Sequence, residues 1–216
     1  MSETAPRAFE ARHVQLARAL FAALAAVMIT FSPDHSASVG LAVFSGFAIA
    51  TGIVLLLSAW LVQPAGRRGP AILLGVFTLV AGMVGGFPAL RSTTLFFVLV
   101  IAWALLTGIV ELVAGIVRRR EPNARDAVLI GALTIALGVA LLFVSPGYAL
   151  HYAIAEAGEF TLTGISIAVG VFGGYAAIIA VFLGIAGFSP RRTAEGAHGA
   201  VPADASEPAR SSGGAA

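Results

Sequence analysis

Six apolar stretches, each close to the length that crosses a bilayer, constrain this chain more than any other feature. They run roughly over 14–31, 39–62, 71–87, 95–117, 127–145 and 162–188. A membrane-spanning helix needs about 20 predominantly apolar residues. Only 11% of the residues are charged, against about 25% in a typical soluble domain. Such a chain could not cover its surface in water, so lipid must solvate much of it. The third stretch is short and the sixth long, which predicts that the sixth tilts or begins in the interface.

The basic residues orient these stretches. All 13 are Arg. Arg7, Arg12 and Arg18 are counted at the N-terminal flank of the first stretch, and Arg67 and Arg68 between the second and third. Arg118, Arg119, Arg120 and Arg125 lie between the fourth and fifth, and Arg191, Arg192 and Arg210 after the last. Only Arg91 falls in the other set of gaps. This is the positive-inside pattern, and it predicts that both termini are cytoplasmic. The Arg residues flank helices rather than forming one stripe, which suits anionic headgroups and argues against nucleic acid. There is no Cys, so disulfides and thiolate chemistry are excluded.

The gaps are short and polar. In the longest, 146–160, Tyr148, Leu150, Tyr152 and Ile154 beside Glu156 and Glu159 predict a short interfacial helix. Residues 1–13 read as a cytoplasmic segment, 14–188 as the membrane domain, and 189–216 as a disordered cytoplasmic tail rich in Ala, Gly, Ser and Pro. The first stretch has a basic start and a small-residue Ser36-Ala37-Ser38 site. A second span follows at once, so it is expected to stay as an anchor.

An internal repeat is visible. Thr51-Gly52-Ile53-Val54 recurs 56 residues on as Thr107-Gly108-Ile109-Val110, and Gly75, Gly82 and Phe87 recur as Gly131, Gly138 and Phe143. The units run over about 39–90 and 95–147 in the same direction. An offset of 72 pairs Ala114-Gly115 with Ala186-Gly187 and Arg119-Arg120 with Arg191-Arg192. The expected plan is all-α: six transmembrane helices in three consecutive hairpins, the first and last divergent.

Few residues in this pattern can carry chemistry. Glu111 is the one charge expected well inside a helix. It precedes Arg118 by seven residues, about 10 Å along a helix axis. An acid at that depth is costly and a functional candidate by default. An apolar medium disfavours its charged form, so it is a candidate proton-binding or proton-sensing group. The plainer reading is a structural ion pair, with Arg118 two turns away on the same face or with Arg67 or Arg68. The repeat places Leu55 and Leu183 at the positions equivalent to Glu111. Asp34, His35, His151, Glu156 and Glu159 fall in the outer gaps and form a candidate pH-responsive face, or else ordinary solvated loops. His35 and His151 lie in different loops without metal-ligand spacing, so no metal site is expected. Gly82 with Gly86, Gly170 with Gly174, and Gly108 in the repeated motif are candidates for close helix packing, expected within the molecule rather than between copies. Thr51 and Thr107 are expected to bond the carbonyl four residues back. Trp60 fits an interfacial anchor and Trp103 a place inside the bundle. No nucleophile, two-carboxylate or phosphate-loop signature occurs, so neither enzyme activity nor a cofactor is expected.

The segment 87–120, FPALRSTTLFFVLVIAWALLTGIVELVAGIVRRR, resembles the repeat of the HdeD-like acid-resistance membrane proteins. Pro88, Trp103, Gly108, Ile109, Glu111 and Arg118 carry the resemblance, together with the exit at Ser145-Pro146-Gly147. It extends over about 39–188. The first unit departs from it at Leu55, and the last outer gap is longer than the pattern. The resemblance implies a bacterial plasma-membrane protein associated with acid stress, and supplies no catalytic residues. Three roles are therefore expected to compete: a non-enzymatic protein supporting acid or envelope stress tolerance, a small proton- or cation-coupled transporter using Glu111, and a scaffold subunit of a membrane complex. The lipid bilayer is the expected partner, with a second copy or another membrane protein as further candidates.

Overall fold

A computed structural model describes residues 10–121, 124–154 and 158–189. The tail and the first nine residues, with Arg7, Arg191, Arg192, Arg210 and Glu156, lie outside them. Six helices carry the fold: α1 (Ala11–Thr30), α2 (Ala37–Leu61), α3 (Gly69–Gly86), α4 (Thr93–Val117), α5 (Ala124–Leu142) and α6 (Gly164–Phe188). Each is long and apolar enough to cross a membrane. They alternate in direction, so the ends near Arg67, Arg68 and Arg118 share one arginine-bearing face with the start of α1.

The even helices start alike. Ser36, Ser92 and Thr163 each accept a hydrogen bond from the backbone N–H three residues on, at 3.4, 3.1 and 3.3 Å. That cap satisfies a donor the first turn would otherwise leave orphaned.

The gap after α5 differs from expectation. It forms an antiparallel hairpin, β1 (Ala149–Ile154) with β2 (Gly158–Thr163), in the register Ala149 to Thr163 through Ile154 to Gly158. No interfacial helix is present there among the described residues. The reason is periodicity: Tyr148, Leu150, Tyr152 and Ile154 recur every second residue, the period of a strand. Leu162 and Thr163, expected to open the last span, belong to β2.

The helices pair closely as α2 with α3, α4 with α5, and α6 with α1. Two of these are consecutive hairpins. The third joins the two ends of the chain and closes a six-membered ring, which differs from three hairpins in sequence order. Without a hydrophobic drive between helices in lipid, tight contact must come from van der Waals packing. Glycine permits it. A Cβ on Gly75 would lie 3.1 Å from the Leu56 backbone nitrogen, and on Gly131 2.5 Å from that of Leu112. Each neighbour also lies 56 residues from its counterpart, so the repeat in the sequence is a repeat of backbone contacts. Gly187 on α6 meets Leu16 of α1 in the same way that Gly115 on α4 meets Val128 of α5.

The even helices meet at the centre of the ring. Phe47, Trp103 and Tyr175 occupy equivalent positions on α2, α4 and α6 and, with Phe44 and Phe172, form an aromatic layer. Phe44 and Phe47 meet the Trp103 ring edge to face at 5.2 and 5.9 Å, and Trp103 meets Tyr175 at 6.2 Å. Such pairs contribute about 0.5–1.5 kcal/mol beyond burial.

Candidate functional site: a buried ion pair between two polar cavities

At the level below the aromatic layer, one helix pair of the ring is apolar and the other two carry one charge each. Leu55 and Leu183 are buried at the positions equivalent to Glu111. On the odd helices, Leu74 and Ile130 are buried at the positions equivalent to Arg18. Arg18 crosses from α1 to α4, its Nη1 3.0 Å from Glu111 Oε1 and its Nη2 3.5 Å from Oε2. The fork of a guanidinium matches both oxygens of a carboxylate.

Depth explains the pairing. Helix α1 begins at Ala11, so Arg18 lies seven residues inside it, and Glu111 lies seven residues before Arg118 at the other helix's end. Both sit about 10 Å from the arginine-bearing face. The expected partner of Glu111 was Arg118, and the structure corrects this. Arg118 follows the last residue of α4 and turns outward, where its Nη2 donates to the Arg67 carbonyl oxygen at 2.9 Å. Arg67 in turn pairs with Glu121 at 2.7 Å. The two turns of this face are thus clasped together, and neither Arg67 nor Arg118 reaches the acid.

Polar groups surround the pair on both sides. Toward the arginine-bearing face lies a vestibule of about 180 Å³, lined by Gln15, Gln63, Arg118 and Asp126 among others. Gln15 Nε2 donates to Asp126 Oδ2 at 3.1 Å, tying α1 to α5. Between the pair and the aromatic layer lies a chamber of about 20 Å³, bounded by Thr51, Thr107, Thr134, Trp103 and Tyr175. That space suffices for one water, which needs about 10–15 Å³. Trp103 Nε1 donates to Thr78 Oγ1 at 3.2 Å, and Tyr175 shares a 2.9 Å hydrogen bond with Thr134. The third equivalent pair is Phe47 with Ala22, both apolar and buried. Thr107 and Thr134 also bond the carbonyls four residues back, at 2.6 and 2.7 Å. Thr51 does not: its buried Oγ1 has no partner.

The repeat seen in these contacts has a counterpart among known families. The family described as a short repeat of unknown function (DUF308) matches residues 17–85 and again 86–143. The chain belongs to this short-repeat family. No curated protein and no solved structure matches it. The first match takes in α2, α3 and all of α1 from residue 17, so Arg18 falls in the first copy of the short repeat and Glu111 in the second.

The remaining candidates do not gather at this site. Asp34 accepts from the Ser36 N–H at 2.8 Å and from its hydroxyl at 2.9 Å, which orders the turn before α2. His35 is partly exposed in that turn, and His151 is exposed on β1. Glu159 stands opposite Ala153 on β2; its side chain and Glu156 lie outside the described residues. Among the described residues, no three His, Asp or Glu gather as metal ligands would. Gly82, Gly86 and Gly108 face Ile49, Ser45 and Ile135 in close contact. Gly170 and Gly174 do not pack within the molecule: nothing lies within 4 Å of where their Cβ atoms would be. Their neighbour Gly173 faces Ile29 instead, because a GxxxG pair occupies one helix face and that face of α6 points out of the ring. Trp103 is buried, while Trp60 is exposed with Arg68 over its ring at 4.8 Å.

Proposed function

We propose that this short-repeat protein is a non-enzymatic, multi-pass protein of the bacterial plasma membrane that supports tolerance of acid and envelope stress. Both termini face the cytoplasm in this reading, as the arginine distribution suggests. The observation that carries it is the filling of the ring's centre. Aromatic side chains interlock across the half farther from the arginine-bearing face. The buried acid below them is already neutralised by Arg18. A bundle so filled resists deformation rather than offering a passage. The association with acid stress rests on the resemblance to HdeD-like proteins. Cells lacking the protein should lose survival under external acid and regain it with the wild-type gene. If Glu111→Gln and His151→Ala genes restore survival fully, those residues have no part in it; if the wild-type gene restores nothing, the stress reading fails.

One observation favours a second reading, a proton or cation carrier. The vestibule brings the arginine-bearing face into contact with Glu111. Liposomes holding the purified protein distinguish the two: flux that disappears in Glu111→Gln supports a carrier, and no flux from folded protein removes it. A scaffold role has support in the open Gly170 and Gly174 face of α6, and it requires a partner that co-purifies in fixed ratio.

A further inference from the structure

The glycine contacts of the two copies recur between equivalent residues, so a place where the copies differ on the surface is informative. One such place lies beside the turn of each hairpin, at the arginine-bearing face. In the first copy, Trp60 on α2 lies there with the Arg68 guanidinium over its ring at 4.8 Å. In the second copy the equivalent residues are Ile116 and Ala124. Both are smaller, and the space is open: a groove of about 490 Å³ runs between α4 and α5. Its floor is Gly115, Ile116, Val128 and Leu129, and its rim is Arg119 and Arg125. The first copy has Gln63 and Gly69 at the rim positions. The second copy therefore has smaller side chains where the first has Trp60 and Arg68, and two positive charges at rim positions that are uncharged in the first.

The charges are available. Arg119 and Arg125 are exposed and have no ion pair among the described residues. Of the two acids beside them in the chain, Glu121 is held by Arg67 at 2.7 Å, and Asp126 accepts from Gln15 at 3.1 Å and makes no ion pair. The floor faces outward, with Ile116 and Leu129 each about half exposed. Gly115 sets the depth, since a Cβ there would come within 2.8 Å of the Val128 backbone nitrogen. The site thus combines an apolar trough on the lipid-facing side with two guanidinium groups at the level where headgroups lie. Guanidinium pairs with phosphate oxygens bidentately, and basic pockets between membrane helices at this level hold anionic headgroups.

We propose that the groove between α4 and α5 is a binding site for an anionic phospholipid. Arg119 and Arg125 hold the headgroup phosphate, and one acyl chain runs along Ile116, Val128 and Leu129. In the first copy the stacked Trp60 and Arg68 stand across the equivalent place, which takes no lipid.

The test is native mass spectrometry of the purified full chain in a nonionic detergent, titrated with phosphatidylglycerol or phosphatidylcholine of identical acyl chains. The wild type should retain the anionic lipid on the order of tenfold better, as two basic residues near the headgroup imply. Arg119→Gln with Arg125→Gln should abolish the preference, and both changes are on the surface, so folding is kept. Ile116→Trp, which installs the first copy's residue, should lower retention of the anionic lipid with both arginines in place. Inorganic phosphate should not displace the lipid. Equal retention of the two lipids by wild type overturns the proposal. So does a preference that survives the double arginine change, or undiminished retention by Ile116→Trp, which would reduce the arginines to diffuse surface charge. Displacement by inorganic phosphate alone would make this a free-anion site and overturn it as well.

Discussion

Arg18 and Glu111 replace two buried leucine-like positions, and this decides what each substitution should do. Removing one partner leaves an unpaired charge in an apolar bundle, a loss of about 3–5 kcal/mol for a buried pair. Replacing both with apolar residues of similar volume is often neutral or stabilising. The molecule supplies the replacement residues itself, because Leu74 and Leu55 stand at the equivalent positions of the first hairpin. Arg18→Leu and Glu111→Leu should each lower the melting temperature in detergent markedly. The double variant should recover to within about 1 kcal/mol of wild type, in the range of hydrophobic swaps that conserve volume. A double variant as unstable as the singles would mean that the pair holds the ring together for a reason other than charge balance. The acid was legible in the sequence because it stands alone in an apolar run. Its partner was not, because Arg18 looks like part of a basic flank until the helix is seen to begin at Ala11. Carrying the 56-residue offset back from Leu74 would have placed it in the core.

The helices are fixed as elements by glycine at crossings, and the same residue type elsewhere does nothing of the kind. Gly131→Ala would drive a Cβ to 2.5 Å from the Leu112 backbone nitrogen, with the Gly108 carbonyl at 2.8 Å. Backbone cannot swing aside as a side chain can, so the α4–α5 pair must separate, a cost of about 1–3 kcal/mol for overpacking. Gly174→Ala enters open space and removes a flexible residue from a helix interior, a gain of up to about 1 kcal/mol. Thermal unfolding of the two variants should therefore shift in opposite directions; a loss at Gly174 as large as at Gly131 would indicate that a second molecule covers α6. The six spans were legible from hydropathy, to within about three residues at most ends. The repeat was legible from the recurring Thr-Gly-Ile-Val motif. The hairpin after α5 was not, because apolar residues interleaved with acids also suit a short interfacial helix, although the spacing of Tyr148, Leu150, Tyr152 and Ile154 is that of a strand. Glycine spacing alone could not tell Gly82-x-x-x-Gly86, which packs, from Gly170-x-x-x-Gly174, which does not. That depends on which face of the helix turns inward. Three-dimensional proximity also had to supply the threonine pairs with Trp103 and Tyr175, since each joins different helices.

At the scale of the whole molecule, three equivalent helix pairs close a ring, and one pair is assembled from opposite ends of the chain. Helix α1 stands to α6 as α3 stands to α2 and α5 to α4. The first helix therefore has its close mate at the far end of the membrane domain, although it also packs against α2. The ring is also where the ion pair gains its meaning: Arg18 comes in on the helix that closes the ring and reaches across to α4. An absence of cysteine in the native chain makes the closure directly testable. A Cβ at Gly187 would lie 2.7 Å from the Leu16 side chain, and replacing that leucine with the smaller cysteine opens room for it. Leu16→Cys with Gly187→Cys should cross-link within one chain on mild oxidation and run faster on a denaturing gel. Leu16→Cys with Gly184→Cys should not, because Gly184 faces open space less than one turn away. If the first pair fails to join while the protein elutes as a single folded species, α1 does not mate with α6. The chain would then be a row of two hairpins with a helix loose at each end, and the buried pair of Arg18 with Glu111 would lose the geometry that forms it.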